Sequence, residues 1–298
     1  MSLVPNSRRR VRLVVEGEAD WTQNAVGEPF AVPPVHRPQL HVQTLPTTVY
    51  LALDTTRPPF NDVRARQAVN YVLDRAKVVR LAGGSDLARP TCQVLPPNFP
   101  GYSAYCPYTL QPSAGAGWRA PDVAKARKLV AASGTAGTPV SLWWHDEIFG
   151  EQQGRYLESL FDSLGYPTRL RTFSGDPLAY FSALERGEGP WHGAGYFTIA
   201  DYPAPSAFVT RLSCAHHFNL GRFCDRAIDA KISRALRLQE RDPASANGSW
   251  AALDRELTDE APWVVLYTES TKGFVSKRVA NYQYHPFWGT LFAQLWLR

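Results

Sequence analysis

The stretch IADYPAPSAF, Ile199 to Phe208, holds one acidic residue, Asp201, between an apolar run and two prolines, with aromatic residues on both sides. A carboxylate placed this way is suited to receive a cation. Facing an ammonium at a partly water-excluded surface, it makes a charge-assisted hydrogen bond about twice as strong as a neutral one. It also rejects ligands that lack the amine, because they would leave it desolvated and unpaired. Pro203 and Pro205 restrict the backbone that follows, which lowers the ordering cost of binding. Tyr196, Phe197 and Tyr202 are candidate aromatic walls for such a site. The other role open to Asp201 is to cap a helix starting near Pro205 or to sit in a proline-rich turn.

A second group of candidates is Trp143, Trp144 and His145, which close a predicted strand at its C-terminal end. Ligands gather at that end of the strands in α/β sheets, so Trp144 and His145 join the candidate site, although a buried Trp pair is the commoner meaning. The chain has no GxGxxG, P-loop, HExxH or GxSxG motif, and nothing in it argues for an enzyme. The seven histidines are dispersed apart from His216-His217. In Cys214-Ala-His216-His217...Cys224 a zinc site is conceivable, but the spacing matches no common finger, and two adjacent His cannot easily face one ion. No metal or cofactor is expected. Cys92, Cys106, Cys214 and Cys224 fall into two near pairs, each inside a loop-like stretch. Two local disulfides would suit an exported protein, although four cysteines allow three pairings.

Composition limits the remaining classes. With 298 residues, 44% hydrophobic and 20% charged, the chain is globular and long enough for one large α/β domain or two smaller ones. The net charge of +5 is spread out, and the one basic cluster, Arg8-Arg9-Arg10, reads as a solvated face, so no nucleic-acid partner is inferred. No apolar run is long enough to span a membrane, and the opening MSLVPNS has no apolar core of a secretory leader.

The elements that must position these residues alternate. Thr48 to Leu53 reads as a buried strand. Asp62 caps a helix whose apolar residues Val69, Val72, Leu73 and Ala76 share a face and which ends near Gly83-Gly84. Residues 88–119 form a long loop. A helix then runs from Pro121 to Gly134, followed by a strand from Val140 to Trp144 and a helix ending at Gly165. Thr168 to Phe173 is a strand, and Asp176-Pro177 starts a helix with Leu178, Phe181 and Leu184 inward. A strand follows over Trp191 to Ala200. Helices over Asp225 to Leu238 and after Asp242-Pro243 precede a buried strand, Pro262 to Tyr267. The β-α-β rhythm predicts an α/β domain.

VYLALDTTRPPFNDVRARQAVNYVLDRAKVV, Val49 to Val79, resembles the signature of the family 5 extracellular solute-binding proteins, the dipeptide-, oligopeptide- and nickel-binding components of ABC importers. Asp54 stands where that family usually has Asn. The resemblance continues through LPPNFPGY, PDVAKARKLVAASG, IADYPAPSAF, NLGRFCDRAIDA, APWVVLY and GEADW, in order along nearly the whole chain. It implies a periplasmic-binding-protein-like (type II) lobe with a mixed, mostly parallel sheet flanked by helices. In that frame residues 1–47 are a remnant of an N-terminal lobe with its connector, 48–270 the C-terminal ligand-binding lobe and 271–298 the return crossover. The function implied is non-catalytic solute binding, with a peptide as ligand and a membrane permease as partner, at an anchored extracellular surface. The cysteine pairs and SGTAGT resemble an actinobacterial branch, some of whose members are cytoplasmic ligand sensors fused to regulators. Ala200-Asp201-Tyr202 matches the family segment whose Asp receives a peptide's α-amino group. Where that segment often carries a Trp wall, this chain has Thr198, which implies a pocket of different shape.

Overall fold

The computed structural model describes residues 6–24, 31–97, 99–115 and 117–298. Asn6 accepts the Arg9 amide and starts helix α1 (Ser7–Val15), which sets Val11 and Val14 against Phe274. Strands β1 (Trp21–Gln23) and β2 (Leu40–Thr44) follow. Part of the predicted connector from Pro29 to Pro46 falls outside the described residues. Strand β3 (Thr47–Leu53) is buried at every position, as its uninterrupted TTVYLAL run requires.

Asp62 accepts the Arg64 amide and begins α2 (Val63–Val72), but the expected single helix to Gly83 is two. Leu73 turns extended, and Asp74 accepts the Lys77 amide to start α3 (Arg75–Leu81), so a second cap divides the run. Within the long loop, β4 (Ala88–Pro90) forms an edge strand, and Cys92 is bonded to Cys106. The fully buried Arg75 pins this loop by donating to the carbonyls of Asn70, Thr91 and Tyr108 and to the Asn70 side chain. Burial lowers its pKa to about 10. Helix α4 (Val123–Ser133) is capped by Asp122 rather than opened by Pro121, and it stops at Gly134 in the left-handed region (φ 67°).

The middle of the chain alternates as the spacing predicts: β5 (Val140–His145), α5 (Asp146–Phe149), α6 (Glu151–Ser163), β6 (Thr168–Phe173), α7 (Pro177–Glu185) and β7 (Gly193–Ile199). Leu178 corrects one expectation, since it is 73% exposed. Helix α7 is turned so that Tyr180 enters instead, its hydroxyl donating to the Trp143 and Gly195 carbonyls. Then come α8 (Ser206–Val209), α9 (Arg226–Arg241), α10 (Pro243–Glu260) and β8 (Trp263–Val275), with short strands β9 (Val279–Ala280), β10 (Tyr284–His285), β11 (Gly289–Thr290) and β12 (Trp296–Leu297) at the end.

The principal sheet runs β1-β8-β3-β7-β5-β6, with β2 and β4 also paired to β8. It is mixed, as expected, but its parallel part is small. Only β5 pairs in parallel, with β6 and β7; β3 lies antiparallel to both β7 and β8. Strand β8 extends well beyond the predicted Tyr267. Its first residues pair with β3 and its last with β2 and β1, so one strand carries the chain out of the α/β core into the outer strands. Among the described residues no helix is long and apolar enough to cross a membrane.

Candidate functional site

The C-terminal ends of β5, β6 and β7 emerge at one edge of the sheet, where β3 begins, since Thr47 lies opposite Ile199. The chain leaves this edge at Ala200, whose amide donates to the Pro46 carbonyl (3.0 Å), and enters the Asp201-Tyr202 bend. Pro205 precedes α8, and no side chain caps that helix, so the capping role for Asp201 is not realised.

Asp201 instead faces a cation of its own chain. Its side chain is 73% exposed, and Oδ2 accepts from Arg211 Nη2 at 3.1 Å. Arg211 lies in the turn after α8 and is nearly buried. Its Nε donates to the Ala207 carbonyl (3.0 Å), and its guanidinium lies over the Phe218 ring at 4.8 Å. Phe218 belongs to the loop closed by the Cys214–Cys224 disulfide. His216 and His217 stack on each other in this loop, and among the described residues no group of metal-ligating side chains converges.

The other predicted site residues separate into two sets. Tyr202 and the neighbouring Ile199 are exposed beside Asp201, and Phe197 is half-buried against Phe149 and Phe181. Tyr196, Thr198, Trp144 and His145 are buried. The Tyr196 hydroxyl donates to Glu185 (2.9 Å), and burial together with that carboxylate pushes its pKa up. Trp144 donates to the Gly150 carbonyl and lies so close to Gly195 that a Cβ there would come within 2.6 Å of its ring. His145 is fully buried edge-on to Tyr180, and neither ring nitrogen has a partner. These four therefore shape the sheet behind the edge and do not reach its surface.

A groove of about 270 Å³ opens where β2 meets the long loop, between Leu45, Pro46, Arg89, Pro96 and Phe99. Phe99 thus lines this groove. Behind it the fully buried Asp254 of α10 accepts from Gln93 Nε2 (2.6 Å) and the Leu95 amide (3.1 Å). Burial pushes its pKa up to about 7. Sequence reasoning found neither Arg211 nor Asp254. A lone Arg and a mid-helix Asp carry no local signal, and their partners lie 10 and 161 residues away.

Asp54 is the other buried carboxylate with a constructed surrounding. Arg57 Nε (2.7 Å) and Arg222 converge on its Oδ2, and the Thr56 amide and hydroxyl donate to Oδ1. It stands at the opposite end of β3 from Asp201 and ties the Gly221-Arg222 turn to the end of that strand.

Residues 1–145 match the family model described as bacterial extracellular solute-binding proteins, family 5 Middle. Among curated relatives, the glutathione-binding protein GsiB of Salmonella paratyphi A is 22% identical over 262 residues, covering 82% of this chain and 46% of the relative. The chain thus spans about half the length of the curated relatives it matches. Two solved structures share the fold. The murein tripeptide binding protein MppA of Escherichia coli has a TM-score of 0.69 at 18% identity, over 97% of this chain and 56% of that one. The binding protein DppA of Helicobacter pylori, in complex with the peptide STSA, has a TM-score of 0.70 at 17% identity, over 99% and 56%. Residues 1–145, just under half of the chain, thus resemble the family 5 bacterial extracellular solute-binding proteins, and the chain shares its fold with these two solved binding proteins.

Proposed function

We propose that this chain is a non-catalytic solute-binding lobe of an ABC importer receptor, that its ligands are peptides, and that Asp201 receives their free amino group. The observation that carries this reading is the exposed carboxylate of Asp201, fixed at the sheet edge where three strands end, with Tyr202 and Ile199 exposed beside it. Relatives that bind glutathione, murein tripeptide and other peptides support the ligand class. In this reading residues 48–270 form the ligand lobe, 1–47 and 271–298 belong to the crossover, and closure about that crossover presents the bound ligand to a membrane permease. The compartment is extracellular, and the pairing of all four cysteines supports it, because disulfides persist in oxidising surroundings.

The test is a titration of the 298-residue chain with Ala-Ala-Ala and with its N-acetyl form, followed by ligand-observed NMR. A hydrogen bond to a charged group contributes about 1.5–3 kcal/mol, so acetylation or Asp201→Asn should each weaken binding by roughly 10- to 100-fold. Equal binding of the acetylated and free peptides would remove Asp201 from the amine role.

A further inference from the structure

The groove beside Phe99 is rigid, mainly apolar and positively charged at one point. Pro46, Pro96, Pro97 and Pro286 fix the backbone around it, and Phe99 packs edge-on to Phe208 at 5.1 Å. Both of its sides are tied down. On one, the Leu45 amide donates to the Glu269 carbonyl (2.9 Å). On the other, the Thr48 hydroxyl donates to the Val94 carbonyl (2.9 Å), and the Leu95 amide donates to Asp254 (3.1 Å). The space is therefore built into the fold, and filling it requires little ordering of the protein.

Among the described residues that line the groove, Arg89 is the only charged one. It is exposed, and its guanidinium has no hydrogen-bond or ion-pair partner among the described residues. Neighbouring charges are already committed. Arg89 lies opposite Thr268 on β8, whose side chains alternate between faces. Glu269 therefore points to the other face, where it meets Thr47, and Lys272, on the Arg89 face, is held by Asp86 at 3.0 Å. The groove between α9 and α10 offers no such open cation, since its Lys231 is bound to Glu256. A free guanidinium against apolar walls attracts an anion more strongly than one on an open surface, because low-dielectric walls focus its field. Its planar fork matches a carboxylate. At about 270 Å³ the groove is smaller than the roughly 300–1,000 Å³ of sites for drug-sized ligands, so it suits a single ring or a short branched chain. We infer that this groove binds a small free carboxylate with an apolar body, an aryl or short alkyl carboxylic acid, with the body between the prolines and Phe99 and the carboxylate on Arg89. The site stands apart from Asp201 and does not depend on its proposed amine role.

The experiment titrates the unaltered 298-residue chain with three probes by ligand-observed NMR: phenylacetate, its neutral isostere phenylacetamide, and acetate, which has the charge without the ring. Phenylacetate should bind with a dissociation constant on the order of millimolar, as its few atoms allow. Phenylacetamide should bind at least about tenfold more weakly for want of the charged hydrogen bond, and acetate should be weaker than phenylacetate for want of the buried ring. Arg89→Gln should bind phenylacetate no better than phenylacetamide. Arg89 is exposed and holds no partner, so this substitution should leave the fold intact, which circular dichroism checks. Absence of saturable phenylacetate binding would overturn the site. So would equal binding of the acid and the amide, or a preference for the acid that survives in Arg89→Gln. Acetate binding as tightly as phenylacetate would reduce the site to plain ion pairing and remove the groove from it.

Discussion

Stability should fall as the pH rises from about 5 to 8, and Asp254 should be a principal cause. Its carboxyl is fully buried with a pKa near 7, raised first by burial and lowered in part by the Leu95 amide and Gln93. In the unfolded chain an Asp titrates near 3.9, so between the two values the folded protein binds a proton that the unfolded chain does not. Protonation therefore favours the folded state, and this contribution is present below pH 7 and fades as pH passes through it. Linkage between these two pKa values gives about 2–3 kcal/mol at pH 5 and almost nothing at pH 8. Asp254→Asn isolates the effect. Its oxygen can still accept the Leu95 amide, but its NH₂ then faces Gln93 Nε2. Gln93 cannot flip freely, since its Nε2 also donates to the Ser103 carbonyl and its Oε1 accepts the Tyr105 amide. The variant should be less stable than wild type at pH 5 by about 1–3 kcal/mol, with the gap closing toward pH 8. Urea denaturation of both proteins at several pH values reads this directly, because other titrating groups, including the half-buried Glu269 with its pKa also near 7, cancel in the comparison. Parallel pH profiles for the two proteins would refute the reasoning.

Two further outcomes concern the edges of the sheet. Gly221→Ala should cost at least about 2 kcal/mol, since a Cβ there would lie 2.2 Å from the Leu53 carbonyl oxygen and push the turn that holds Arg222 away from the buried Asp54. An unchanged urea midpoint would show that the turn adapts without losing that pair. His145→Leu should be neutral or stabilising by about 1 kcal/mol, because it removes a buried imidazole with no hydrogen-bond partner. It should also leave peptide affinity unchanged, and a clear loss of affinity would mean that the ring reaches the ligand after all.

What the sequence determined by itself is local. Asp62, Asp225 and Asp242 cap helices because each accepts an amide only two or three residues ahead, and Gly134 ends α4 because it tolerates the left-handed region. The uninterrupted apolar run of β3 and the β-α-β spacing through the middle of the chain were legible for the same reason. Asp201 was legible as a carboxylate stiffened by prolines, although its partner was not. Tertiary structure decided what depends on distant register. Strands β3 and β8 run antiparallel, so the parallel part of the sheet is smaller than the rhythm implied. Tyr196, Thr198, Trp144 and His145 are buried within the sheet and beneath helices such as α7, leaving Asp201 and Tyr202 to form the exposed edge. Arg211, Asp254 and the Asp54–Arg222 pair acquire their roles only when turns far apart in the chain meet. A hydrogen bond within one helical turn is specified by neighbouring residues, whereas a contact between separate elements is specified only by the packing of the whole sheet.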